Sequence, residues 1–307
     1  MNIRETTAIE YKETFGKLPH IYNGAEFSEL NKYKTERLHY LLFEDTKVRF
    51  GIVLGEEADC MLSPFSAPFG GFTTRKPQNT ELIDEAVRLL KSFGENNHKK
   101  IILTLPPSIY EGSQVAQNVN ALSRYGSIRF IEINYHFNVE RFKNYEDVIE
   151  RNAKKNLHKA LKEDFNFIHI DSDDTDNVAR AYDVIRANRE EHGYPLRMSI
   201  DNVLQTIKII PGDFFILEHS GRDVAAAQVF HIADDICQVI YWGDLRKYSN
   251  IRPMNCLSYR IFEYYYKKGL RILDIGPSTE HGVPNYGLCN FKESIGCSAS
   301  TKFSFEL

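Results

Sequence analysis

The chain has no apolar run approaching the ~18 residues that a bilayer-spanning helix needs. Its opening stretch, MNIRETTAIEYKETFG, is polar with no signal-like apolar core behind it. Neither a membrane span nor a secretory leader is expected, and the expected compartment is the cytoplasm. Cys60, Cys237, Cys256, Cys289 and Cys297 include no C-x-x-C pair, which points to reduced thiols rather than a disulfide framework. Positive charge is not in excess: the net charge is -4, so the chain as a whole is not built to sit on phosphate backbones. No G-x-S-x-G elbow, Walker loop or dinucleotide fingerprint occurs. His192, His219, His231 and His281 lack metal-ligand spacing, and no metal is expected.

What is present suffices for a large globular protein. The 307 residues exceed one usual core, so two domains are expected, and 42% hydrophobic residues provide the material to bury. In the C-terminal half, DFFILEHS, DVAAAQVFHIAD and ICQVIYWGDL read as an antiparallel meander. A helix through Leu257, Ile261, Tyr264 and Tyr265, the strand RILDIG, a short helix around YGLCNFKES and the strand TKFSFEL follow. The N-terminal half has the same order: strands LHYLLFED, VRFGIVLGE and DCMLSPF, a helix over residues 80–94 stopped by Gly94, strand KKIILTLPP, a helix near 113–124, and strand SIRFIEINYHF. Between the halves, NYEDVIERNAKKNLHKALKEDF reads as one long helix with Tyr145, Val148, Ile149, Ala153, Leu157, Ala160 and Leu161 buried. Two more helices follow, from about Thr175 to His192 and from Ser199 to Pro211-Gly212.

This order, with RNAKKNLHKALKE at 151–163, DVAAAQVFHIADDICQVIYWGD at 223–244 and KKGLRILDIGPSTEHGVPNYGLCNFKESIGC at 267–297, resembles the FemAB group of GNAT acyltransferases. The resemblance implies an α+β fold of two tandem GNAT-like domains, each a mixed, mostly antiparallel sheet flanked by helices. The expected domains are 1–143 and 144–307, the second entered by the long basic helix. It also implies a role for Lys292, four residues before Gly296. The lysine of a FemX-type Phe-Lys pair is thought to stabilise charge on the transferring ester. An ammonium there would stabilise an oxyanion or protonate a leaving group; the alternative is a helix lysine lying over Phe291 with its charge in water. Asp274, in an apolar strand, is a candidate base or else a backbone-bonding aspartate, and Asp244 after Trp242-Gly243 is a similar candidate. Tyr286 is a candidate proton donor.

One departure bears on the donor. Coenzyme-A-binding GNAT members hold pyrophosphate with a Gly-rich loop before a helix, whereas the corresponding RKYSNIRPMN contains no glycine. Arg246, Lys247 and Arg252, with Asn255 at the helix start, supply charge and polarity there instead. Gly70 and Gly71 of SAPFGGF offer a glycine loop in the first half, or else a plain turn. Arg151, Lys155, Lys159 and Lys162 share one helix face that would grip phosphates or face water. Trp242 and Phe291 complete the candidate binding set. The expected activity is transfer of an acyl or aminoacyl group to an amine or hydroxyl of a sugar- or peptide-containing envelope precursor. Acyl-CoA is one donor candidate and aminoacyl-tRNA the other. The rival reading is a degenerate, non-catalytic binding protein.

Overall fold

Both meanders form, and each is one strand longer than its apolar pattern announces. The computed structural model describes residues 1–307. In chain order it contains β1 (Asn2–Thr6), α1 (Ala8–Phe15), α2 (Ala25–Asn31), β2 (Arg37–Glu44), β3 (Val48–Glu56), β4 (Cys60–Ser63), α3 (Thr80–Asn96), β5 (Lys100–Thr104), α4 (Ser108–Tyr125) and β6 (Ser127–Asn138). Then come α5 (Tyr145–Val148), α6 (Arg151–Ala160), β7 (Phe165–Asp171), α7 (Thr175–His192), α8 (Ile200–Thr206), β8 (Gly212–His219), β9 (Arg222–Ala233) and β10 (Ile236–Asp244). The chain ends with α9 (Pro253–Lys267), β11 (Ile272–Pro277), the short pair β12 (Thr279–Glu280) and β13 (Val283–Pro284), α10 (Tyr286–Ser294) and β14 (Ser298–Glu306).

Two compact units result. One comprises Met1–Ile133, Thr279–Val283 and Ser300–Leu307, the other Asn134–Ser278 and Pro284–Ala299. The break falls at 133/134, where the sequence reading put it at 143/144. In the first unit the strand order is β1-β2-β3-β4-β5-β14. Its first four strands are antiparallel, β4 and β5 are parallel, and β14 pairs antiparallel with β5 through Ser304↔Thr104. The second unit repeats this as β7-β8-β9-β10-β11-β6, with β10 and β11 parallel and β6 antiparallel to β11 through Ile272↔Asn138. Each unit therefore takes its sixth strand from the end of the other repeat.

Helix α3 shows how the apolar pattern becomes packing. The Asn79 side chain accepts the Leu82 N–H as a cap, and Ile83, Ala86, Val87 and Leu90 turn inward onto Leu41, Phe43, Phe50 and Ile52. Truncating a fully buried leucine such as Leu90 to alanine costs about 2–5 kcal/mol in cores of this kind. Gly94 does not stop the helix, which runs to Asn96. It lies buried inside it, where a Cβ would come within 2.8 Å of the Lys99 carbonyl.

The long basic helix also differs from expectation. It breaks after Val148, and the extended residue Glu150 sends its N–H to the Ser294 carbonyl at 2.9 Å at the end of α10. That tertiary bond replaces a helical one. Leu161 lies outside α6 and is 40% exposed.

Candidate functional site

The second unit contains a place where two parallel strands separate. β10 and β11 pair only through Ile236↔Ile272, Cys237↔Leu273 and Gln238↔Asp274, although β10 continues to Asp244 and β11 to Pro277. Each strand carries an irregularity just past the last shared pair. On β10 the register against β9 shifts between Val239 and Tyr241, and on β11 the register against β6 shifts between Asp274 and Gly276. Bulges bend a strand and increase its twist. Gly276 has φ +75°, a conformation that side chains other than glycine adopt at a cost. The strands diverge, and successive carbonyls of β11 can turn to one side.

Lys292 fills the position that the missing neighbour leaves. Asn285 caps α10 by accepting the Leu288 N–H. From that helix the Lys292 Nζ donates to the carbonyls of Ile275 at 3.1 Å, Gly276 at 2.9 Å and Pro277 at 3.0 Å. The side chain is 4% exposed, so the alternative of a water-facing lysine over Phe291 does not hold. Burial pushes its pKa down to about 8. The thiols of Cys297 and Cys289 and the carboxylate of Asp274 oppose that shift, while the nearby Arg189 guanidinium adds to it. The carbonyl acceptors favour the charged form, and the Tyr135 ring lies 5.5 Å from the ammonium.

Asp274 is 0% exposed and fully engaged. One oxygen accepts from Asn134 Nδ2 at 2.8 Å and from the Gly276 N–H at 2.9 Å; the other accepts from Gln238 Nε2 at 2.7 Å. It clamps β6, β10 and β11 together at the point of separation, an arrangement for positioning rather than for taking a proton from substrate. Asp244, at the free end of β10, is half-buried, and burial raises its pKa. Its backbone carbonyl accepts from Asn188 Nδ2 at 2.6 Å, which ties the strand end to α7. Trp242 and Phe291 meet edge to face with centroids 6.2 Å apart, joining β10 to α10. Tyr286 is 72% exposed at the first turn of α10.

Other expected residues lie elsewhere. Gly70 and Gly71 are buried in the first unit with their amides occupied, Gly70 N–H on the Thr104 carbonyl at 2.8 Å and Gly71 N–H on Ser63 Oγ at 3.0 Å. They are not available to hold a phosphate. The glycine-free stretch winds into a short turn over Arg246–Ile251. Arg246 is fixed to α7 through the Glu191 carboxylate and carbonyl, and Arg252 takes φ +61° before Pro253 opens α9. Asn255 bonds its N–H back to the Arg252 carbonyl and is mostly buried. Lys159 donates to the Asn250 carbonyl at 2.8 Å, whereas Arg151, Lys155 and Lys162 stand exposed.

Two features escaped the sequence reading. Arg189 lies in the last turn of α7, beside Tyr241 and Tyr194. The sequence signal was an Asn188-Arg189 pair continuing the apolar stripe of Val178, Ala181, Tyr182 and Ile185. Asp213 receives His169 Nε2 at 2.6 Å, His231 Nε2 at 2.7 Å and the Tyr265 hydroxyl at 2.7 Å. With Asp171 and His169 it offers ligand atoms within 4.8 Å of one another, a set chemically able to hold a metal. Strand pairing of β7 with β8 creates that cluster, so no linear spacing announces it.

Neither a protein-family model nor a curated protein sequence matches the chain. Solved structures do. FemX aligns over 100% of this chain and 97% of its own with a TM-score of 0.68 at 13% identity. The C-terminal domain of a putative lysylphosphatidylglycerol synthetase from Agrobacterium fabrum aligns over 98% and 92% with a TM-score of 0.61 at 8% identity. A tandem GNAT protein from the clavulanic acid biosynthesis pathway aligns over 99% and 97% with a TM-score of 0.56 at 9% identity. The chain has a FemAB-like, GNAT-type fold, with two tandem GNAT-like units.

Proposed function

We propose that the second unit transfers an acyl or aminoacyl group from an ester or thioester to an amine or hydroxyl, with the reacting carbonyl at the gap between β10 and β11. The observation that carries this reading is the buried Lys292 ammonium at the point where the strands separate. The attacking nitrogen or oxygen adds to the carbonyl carbon, the C=O electrons move to oxygen, and collapse of the tetrahedral adduct expels the thiolate or alkoxide. A fixed positive charge in a water-poor site stabilises that oxyanion more than water does. All three Lys292 N–H bonds are occupied in this structure, so the side chain acts through its charge or by exchanging one carbonyl for the oxyanion. Asp244, its pKa raised by burial, takes the proton lost by the nucleophile. Asp274 holds the strands in place.

The names of the structural neighbours, FemX and lysylphosphatidylglycerol synthetase, support an envelope precursor as acceptor and an activated amino acid as the transferred group. The exposed Arg151, Lys155 and Lys162 favour a phosphate-bearing substrate, and aminoacyl-tRNA fits that better than acyl-CoA. No helix is long and apolar enough to cross a membrane.

The test is transfer of radiolabel from acetyl-CoA, and separately from alanyl-tRNA and lysyl-tRNA, to a uridine-diphosphate-linked peptide precursor. Lys292→Met should lower kcat by about 10²–10³, and Lys292→Arg should recover part of it. Full activity in Lys292→Met, or no transfer from any of the donors, would overturn the proposal. Binding of tRNA that weakens steeply with salt would identify the aminoacyl donor.

A further inference from the structure

Where β7, β8 and the last turn of α9 meet, three side chains bring their ligand atoms toward one point. Asp171 and Asp213 stand directly opposite each other in the β7–β8 register. His169 lies two residues before Asp171 and so on the same face of β7. Its Nε2 is 2.6 Å from Asp213 Oδ1 and 3.8 Å from Asp171 Oδ1, and one ligand atom from each of the three residues lies within 4.8 Å of the others. The cluster is separate from the gap at Lys292, since β9 and β10 lie between β8 and β11.

This arrangement is unfavourable without a cation. Like charges placed directly opposite on neighbouring strands destabilise a sheet, and here both residues are aspartates. An imidazole Nε2 carries at most one proton, yet three oxygens surround that of His169, the third being the Tyr264 hydroxyl at 3.1 Å. One N–H satisfies Asp213 alone, whereas a cation facing the Nε2 lone pair is shared with both carboxylates. The neighbours hold the set in place. The His169 ring stacks on Tyr264 with centroids 4.7 Å apart. The second oxygen of Asp213 accepts from His231 Nε2 and from the Tyr265 hydroxyl, both at 2.7 Å, and hydrogen bonds on the far oxygen orient a ligating carboxylate.

We propose that His169 Nε2, Asp213 Oδ1 and Asp171 Oδ1 bind a zinc ion, with water completing the shell. Ligand atoms of a tetrahedral zinc site stand ~3.3 Å apart, from bonds of about 2.0–2.1 Å. The separations of 2.6 and 3.8 Å bracket that value, so a small rotation of the Asp171 side chain closes the set. His169 binds as the neutral tautomer with its proton on Nδ1. Imidazole nitrogen favours zinc over magnesium and calcium, which take oxygen ligands. With the Asp171 side chain 83% exposed, the ion reaches the site from solvent, and once bound it fastens the edge strand β7 to β8. The site is independent of the transfer reading.

The test is calorimetric titration of chelator-dialysed protein with zinc chloride and, separately, magnesium chloride, for the wild type, Asp171→Asn and His169→Gln. The wild type should bind zinc with a micromolar Kd and should not bind magnesium in the same range. Each variant should bind zinc at least tenfold more weakly. Thermal unfolding adds a readout that a plain hydrogen-bond network would not move. At about a hundredfold excess of zinc over Kd the wild-type Tm should rise by about 4 °C. Metal-free Asp171→Asn should be at least as stable as metal-free wild type, because it removes the opposed charges. No zinc uptake below about 100 μM, equal affinity for magnesium, or a metal-free Asp171→Asn less stable than wild type would overturn the proposal. So would zinc affinity unchanged in either variant, the mark of an adventitious ion on other histidines or thiols.

Discussion

The two units solve one problem in two ways. In each, an antiparallel meander ends beside a parallel strand that soon loses its neighbour, leaving carbonyls to be satisfied. In the first unit the last shared pair is Ser63↔Leu103, and the next carbonyl of β5, that of Thr104, accepts the Gly70 N–H. The chain folds back through Phe69, Gly70, Gly71 and Phe72, all buried, and fills the gap with its own backbone. In the second unit the last shared pair is Gln238↔Asp274, and the next carbonyl, that of Ile275, accepts from Lys292. A loop amide is neutral and inert. An ammonium brings charge to the same place, so unit two presents a buried charge, which the transfer reading uses, where unit one has a plug.

The clamp behind Lys292 gives the largest expected effect. Asp274→Ala would leave the buried donors of Asn134, Gln238 and Gly276 without this acceptor. With each lost partner worth about 1–3 kcal/mol, the variant should lose roughly 4 kcal/mol in a denaturant titration. A loss below about 1 kcal/mol would mean that the strands do not depend on the carboxylate.

The charge itself should be visible in pH dependence. Folding lowers the Lys292 pKa from 10.5 to about 8. Between those values the unfolded chain retains a proton that the folded chain has released. Stability contributed by this group therefore rises with pH, by roughly 3 kcal/mol in all. Lys292→Met has no such proton, so the stability difference between wild type and variant should move in the wild type's favour from pH 8 upward. Transfer activity should move the opposite way and fall above about pH 8, because the charge is being lost. Activity that holds level through this range would argue against a role for the ammonium.

How much of this the sequence showed depends on where each residue sits in the sheet. Central strands such as β3 and β9 bury long apolar runs and were legible. β1 and β7 were missed because both are edge strands: NIRET and FNFIHID are only partly buried, and polar residues dilute their alternation. The Phe-Lys pair and the glycine after it singled out Lys292, and the structure shows that side chain to be buried. Its three carbonyl partners were not legible, because they follow from a bulge at Gly276 that no local preference fixes. The glycine pair of SAPFGGF signalled an unusual backbone, but composition cannot distinguish amides that face a ligand from amides that face a strand. The break before α6 depends on the carbonyl of Ser294, far along the chain, and helical periodicity carries no trace of it.

The two gaps can be compared directly through their glycines. At Gly70 a Cβ would come within 2.8 Å of Ser63 Oγ and 2.9 Å of the Pro64 nitrogen, so Gly70→Ala must push the plug out of place, at about 1–3 kcal/mol. At Gly276 a Cβ would meet nothing within 4 Å, and the cost of Gly276→Ala is the strain of φ +75°, about 1–2 kcal/mol. The stability losses are therefore similar, yet the consequences for activity should differ. A shifted plug leaves Lys292 and its carbonyls untouched, so transfer per folded Gly70→Ala molecule should equal that of the wild type. A backbone that relaxes at Gly276 turns the Ile275, Gly276 and Pro277 carbonyls away from the ammonium, and kcat should fall about tenfold or more, as expected when a charged group loses its fixed position. Measuring kcat against the folded fraction for both variants decides the matter. Equal losses in the two would mean that the first unit is coupled to the reaction rather than filled and inert.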